Sequence, residues 1–124
     1  MKPKKLIILI TLLTIFLGCK EEENLTICTL EFVYGLNITL INANTSMPIT
    51  DEVNVVIKDG NYEEVLTRLE SDVPFLGAGE RAGTYFLTIT SNAYKTFISE
   101  PIIVEANECH VIPVVKTIQL EPTS

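Results

Sequence analysis

The hydrophobic pattern divides the chain into an opening run without a period and a long body that alternates. Residues 6–17, "LIILITLLTIFL", are almost wholly apolar and follow "MKPKK". From Thr29 onward, apolar and β-branched residues alternate with polar ones in short runs bounded by turn residues, which is the pattern of half-buried strands. "FVYGLNITLINA" alternates through Leu36, Ile38 and Leu40 and predicts a first long strand; "NTSMPI", residues 44–49, predicts a turn around Pro48. "VNVVIKDGNYEEVLTRL" predicts a strand, a hairpin turn at Asp59-Gly60 and a returning strand from Tyr62 toward Leu69. "NYEEVLTRLESD" also fits a short helix, but its place after a hairpin turn favours strand. "SDVPFLGAGERAG" reads as a loop, in which Gly77, Gly79 and Gly83 are expected to supply positive φ where the chain turns sharply into the next strand. "TYFLTITS" is a strand with Tyr85, Leu87 and Ile89 on one face, and "KTFISEPIIVEA" and "ECHVIPVVKTIQL" complete the set. No segment sustains a helical period. Short strands at this spacing predict an all-β chain: one β-sandwich of roughly seven strands around a single core.

The opening run holds twelve residues, whereas a membrane-spanning helix needs roughly twenty. A basic start, a short apolar core and a small residue before a cut site make up a secretory signal peptide. Gly18 is followed at once by Cys19, which resembles the lipobox of bacterial lipoproteins, with Phe16 where leucine is usual. The resemblance implies removal of residues 1–18 and a lipid on Cys19 that holds the protein to a membrane. An ordinary signal peptide cut nearby, or an uncleaved anchor, is the competing reading. Lys20, Glu21, Glu22 and Glu23 come next and resemble the lysine-plus-acidic export signal of Bacteroidetes surface lipoproteins. That implies the cell-surface face of the outer membrane. A solvated charged tether, with the protein on the periplasmic leaflet, is the alternative. The expected organisation is signal peptide 1–18, lipidated cysteine and acidic tether 19–27, and one domain over 28–124.

Charge sharpens this picture. The chain has nine basic and sixteen acidic residues; losing Lys2, Lys4 and Lys5 with the signal leaves six against sixteen, a charge near minus ten. Such a surface disfavours nucleic acid and anionic lipid as partners. Of the three cysteines, Cys19 is assigned to the lipid, which leaves Cys28 and Cys109 near the two ends of the folded region. In an oxidising compartment a disulfide is the natural reading, with two free thiols as the alternative. The tight Cys-x-x-Cys spacing of a redox-active pair is absent.

"YGLNITLINANTSMPI" (34–49), "GAGERAGTYFLTIT" (77–90) and "ECHVIPVVKTIQL" (108–120) resemble a bacterial branch of the carboxypeptidase regulatory-like domain family. The strongest block runs from Gly77 to Tyr85, followed by an aromatic turn at Tyr94 and the triplet Glu108-Cys109-His110. The resemblance covers about residues 30–120 and implies a transthyretin-like, seven-stranded Greek-key sandwich. It also implies a pairing of the cysteine before the first strand with the one before the last, which here are Cys28 and Cys109. Ala93 stands where the family usually has glycine. Tyr85 and Tyr94 are expected to bury their rings with hydroxyls at the rim, and Arg81 to pair with a nearby acid.

None of these motifs is catalytic. Zinc chemistry of the carboxypeptidase kind needs two histidines and a glutamate, and the chain has one histidine, His110, read as a sheet residue. No Asp-x-Asp-x-Asp loop offers calcium, no Gly-x-Ser-x-Gly elbow presents a nucleophile, and "GAGERAG" lacks the Gly-Lys-Ser/Thr ending of a phosphate cradle. Asp51-Glu52 and Glu63-Glu64 read as solvated surface. The expectation is therefore a non-enzyme without metal or cofactor, an accessory module for a protein partner at the envelope. The alternative is a carbohydrate- or peptide-binding module. An exposed row of Tyr34, Tyr62 and Tyr94 would favour that alternative, and an apolar patch or bare edge strand the protein partner.

Overall fold

The computed structural model describes residues 26–124. The signal peptide 1–18, the lipidation site Cys19 and the export residues Lys20, Glu21, Glu22 and Glu23 lie outside the described residues. The described chain is all-β: β1 Tyr34–Asn42, β2 Asn54–Asp59, β3 Tyr62–Val65, β4 Phe75–Gly79, β5 Gly83–Thr90, β6 Phe97–Ile98, β7 Ile102–Val104 and β8 Val114–Leu120. One sheet has the order β4-β1-β8, and the other the order β3-β2-β5-β6 with β7 also on β5. β1 pairs antiparallel with β4 and parallel with β8, Leu36 standing opposite Val114.

Both sheets turn their alternating apolar faces into one core. Leu36, Ile38, Leu40, Ile118 and Leu120 enter it from the first sheet, and Val55, Ile57, Tyr85, Leu87 and Ile89 from the second. Period-two alternation makes this possible, because every second side chain of a strand shares a face. Each fully buried aliphatic side chain contributes about 1.5–3 kcal/mol relative to exposure. No polar or charged residue is fully buried among the described residues, and no buried side-chain N or O lacks a partner. Tyr85 enters the core with its ring, while its hydroxyl donates to the carbonyl of Arg81 at 2.6 Å. Tyr94 is likewise buried and donates to Asp51 at 3.2 Å.

Among the described residues eight strands are present where about seven were expected. The additional one arises along β5. Between the pairs Ile98–Thr88 and Ile102–Tyr85, three residues (99–101) face two (86–87), so β6 and β7 are separated by a bulge. Pro101 has no N–H to give the ladder there. Ser99 repairs the gap: its amide donates to Leu87 O and its hydroxyl accepts from Leu87 N, both at 2.9 Å.

The loop expected over 71–83 is overturned in its middle, since Phe75–Gly79 forms β4 beside β1. The role expected of the glycines is overturned with it. Positive φ falls on Ser46, Gly60, Ala78 and Glu80, and on none of Gly77, Gly79 and Gly83. Those three are small because other side chains fill the space of a Cβ. At Gly77 it would lie 2.6 Å from Leu66 Cγ, at Gly79 it would enter the Phe32 ring, and at Gly83 it would meet the Asp59 carboxylate. Gly60 does turn the β2–β3 hairpin. It occupies the first position of a two-residue loop at φ 58°, the place glycine takes in a type II′ turn.

Candidate functional site

At one end of the molecule, Cys28 and Cys109 are joined, their Cα atoms 5.2 Å apart across 81 residues of sequence. Cys28 belongs to an extended arm, residues 26–33, that precedes β1, and Cys109 to the loop that precedes β8. Because β1 and β8 run parallel, the link sits at the shared starting end of the two strands. His110 does not continue a sheet, as expected from sequence, but stands in the loop beside the link. Its Nδ1 lies 2.7 Å from Glu80 Oε1 and its Nε2 3.0 Å from the Thr29 hydroxyl. An ionised carboxylate only accepts hydrogen bonds, so Nδ1 donates to Glu80. Glu80 also accepts from the Val33 amide at 2.8 Å. Desolvation pushes the Glu80 carboxyl upward, but it is outweighed by the Val33 amide, His110 and the Val111 amide, which together hold it below the ordinary range.

Thr29, His110 and Glu80 thus follow one another in the order hydroxyl, imidazole, carboxylate, the order of an acyl-transfer triad. The backbone amides flanking His110 are already engaged. An oxyanion hole needs free N–H groups aimed at the reacting centre. In this loop the amides of Cys109 and His110 both donate to the Asn107 side chain, that of Asn107 to His110 O, and that of Ile112 to Glu105 O. Thr29 also rides on an exposed arm. The three residues act as a latch that ties the arm to the loop before β8.

The two sides of the molecule differ. On one, β3 and β4 are joined across the sheets: Thr67 and Leu76 exchange backbone hydrogen bonds at 3.3 and 2.8 Å, and the Ala78 amide donates to Glu64 at 3.1 Å. Glu64 also accepts from Tyr62, so its expected role as solvated surface is replaced by a bridging one. That hydrogen bond, with desolvation and the Glu64 charge, pushes the Tyr62 phenol up to about 12. On the other side, no strand among the described residues pairs with the outer edge of β8 over 114–119. The chain is tied across only beyond the two ends of this edge: before it by the Ala106–Val111 bridge and the Ile112 amide on Glu105 O at 2.7 Å, and after it by the Lys95 amide on Glu121 O and the Lys95–Glu121 ion pair at 3.2 Å. Between this edge and the β6–β7 edge runs a groove of about 480 Å³, lined in part by Phe97, Glu100, Ile102, Val115, Lys116 and Ile118. A second hollow of about 300 Å³ shares Phe97 and extends it toward Gln119 and Glu121. Val115 is 72% exposed, and Ile98 and Ile103 on the opposing edge are 69% and 61% exposed.

The tyrosines do not form a row. Tyr34 is partly exposed, Tyr94 is in the core, and Tyr62 lies under the Arg81 guanidinium, 3.7 Å from its ring centre. Arg81 pairs with Asp59 at 3.0 Å, as expected for an acidic domain. Ala93, at the position where glycine is usual in the resembling family, has no positive φ and needs no glycine. Among the described residues no group of three His, Cys, Asp or Glu is placed to hold a metal ion, and no helix is long and apolar enough to cross a membrane. No family model, curated protein or solved structure matches this chain.

Proposed function

We propose that this chain is a non-enzymatic lipoprotein of the outer membrane, displayed at the cell surface, whose single domain serves as an accessory module for a protein partner. The lipid on Cys19 supplies the anchor, and Lys20 with Glu21, Glu22 and Glu23 directs export. The domain is a carboxypeptidase regulatory-like, Greek-key sandwich. β6 and β7 count as one interrupted strand, which gives seven. Three features support that assignment: the cysteine before β1, the cysteine before β8, and the hydroxyl of Tyr85 returning to the backbone four residues upstream. The last is the kind of corner contact found in Greek-key sandwiches.

The observation that carries the interaction reading is the bare β8 edge with apolar side chains beside it. Unpaired strand edges and apolar grooves are where extended partners add to a sheet. Carbohydrate binding would draw support from a row of exposed tyrosines, and Tyr94 and Tyr62 do not supply one. The test is protease treatment of whole cells expressing the native protein, a Cys19→Ala variant, and a variant with Glu21, Glu22 and Glu23 changed to alanine. Digestion of the native protein, release of the first variant from the membrane and protection of the second are expected. Protection of the native protein would overturn surface display.

A further inference from the structure

We infer that the groove along β8 receives an extended segment of a partner protein, which pairs with β8 as an added strand and carries a carboxylate opposite Lys116. This rests on the interaction-module reading above and names the chemistry of what the module takes. The free edge spans six residues, 114–119. At about 3.3 Å per residue that is roughly 20 Å, the length of an ordinary strand.

Lys116 gives the groove its selectivity. By alternation it shares a face with Ile118 and Leu120, both buried, so a lysine occupies an inward-facing position of an edge strand. It is also the one cation of the described residues that has neither an ion pair nor a hydrogen bond. Lys58, Arg81 and Lys95 each pair with a carboxylate, and Arg68 donates to the carbonyls of Ile49, Ser71 and Asp51. In a net acidic domain, a groove-lining lysine without an ion pair favours an acid opposite it. The same lysine argues against a second copy of this chain as occupant. Inward-pointing charge is a common device against edge-to-edge association, and two β8 edges brought together would crowd two ammonium groups into one groove. Glu100 stands on the opposite wall and disfavours a run of acids. The partner segment is accordingly one acid with apolar residues two positions away on either side, matching Lys116 between Val114 and Ile118.

The experiment titrates the purified, isotope-labelled full-length protein in detergent with two synthetic peptides. One is Thr-Val-Thr-Glu-Thr-Val-Thr with blocked ends, and the other has Lys in place of Glu. The Glu peptide should slow hydrogen exchange of the β8 amides and shift the Lys116 and Ile118 resonances. It should bind at least tenfold more tightly than the Lys peptide, and Lys116→Glu should reverse that order. Position 116 is exposed, so the variant should keep its fold, checked by its circular dichroism. Equal affinity for both peptides, shifts mapping away from β8, or unchanged β8 exchange at millimolar peptide would overturn the proposal. Undiminished photo-crosslinking of an envelope protein to Lys116→Glu on cells would likewise overturn the groove, while leaving the interaction-module reading in place.

Discussion

Removing the Cys28–Cys109 link by changing both residues to serine tests how much of this fold depends on one covalent bond. The link spans 81 residues, and in the chain-entropy model closing such a loop in the unfolded chain is worth roughly 4.5 kcal/mol. That figure assumes the folded state is unchanged by the loss. Here it would change, because residues 26–31 are exposed along their whole length and held by few contacts. Thr29 to His110 and Thr26 to Glu108 are exposed hydrogen bonds of about 0.5–1.5 kcal/mol each, whereas ordering a backbone residue costs about 1–2 kcal/mol. Without the link the arm loosens in the folded state too, which returns part of the lost stability. The expected net loss is about 2–4 kcal/mol, a large share of the roughly 5–15 kcal/mol typical of a domain. The chain has no tryptophan, so urea unfolding is followed by circular dichroism and tyrosine fluorescence. The midpoint should fall and the denaturant dependence steepen, because the unfolded chain is no longer cross-linked. A loss under about 1 kcal/mol with an unchanged slope, together with two reactive thiols in the native protein, would refute the reasoning.

The glycine assignments make a paired prediction: Gly77→Ala should cost about 1–3 kcal/mol by driving a methyl into Leu66, while Ala78→Gly, at φ 52°, should fall within about 1 kcal/mol of the native protein. Urea melts of both variants check this, and the reverse order would refute it. Glu80 has a carboxyl held below its ordinary value, so its contribution is present above the ordinary carboxylate range and is lost as pH falls through the lowered value. Glu80→Gln should therefore flatten the acid limb of a stability-against-pH curve; an unchanged limb would contradict the latch. Tyr62 has a phenol raised to about 12, so its contribution is complete below pH 10 and is lost as pH rises toward 12. In a spectrophotometric titration Glu64→Gln should bring that late-ionising tyrosine back toward 10.0, the ordinary phenol value, and failure to move would remove Glu64 as the main cause.

What could be read from sequence followed the size of the side chains. β1, β2 and β5 declare themselves because large apolar residues alternate along them, β3 because it follows the turn signal at Asp59-Gly60, and Tyr85, Leu87 and Ile89 share one face as expected, which is buried. β4 is hidden because its face toward neighbouring side chains is made of glycine. "FLGAG" looks like a loop until Leu66 and Phe32 are known to occupy the space above Gly77 and Gly79. The latch was hidden by distance along the chain, since His110 meets Glu80 thirty residues away and Thr29 eighty-one away. Lys116 carried a faint signal, a charge at an inward position of "VVKTIQL". It meant nothing until the sheet order showed β8 to be an edge.

The latch and the groove meet in that strand. Over 114–119, β8 pairs on one side only, with the parallel β1, and its other side forms the groove wall. The pairing joins residues about eighty positions apart, Leu36 with Val114, so its register has no local turn to fix it. A one-residue slip would exchange Ile118 and Leu120 for Gln119 in the core and turn Lys116 out of the groove. The Cys28–Cys109 link, with Thr29, His110 and Glu80 beside it, clamps both strands where they begin and so fixes the register. On this argument the double serine variant should lose affinity for the acidic peptide by a larger factor than its own β1 amides lose exchange protection. The free edge depends on the clamp for its alignment, whereas β1 is braced by strands on both sides.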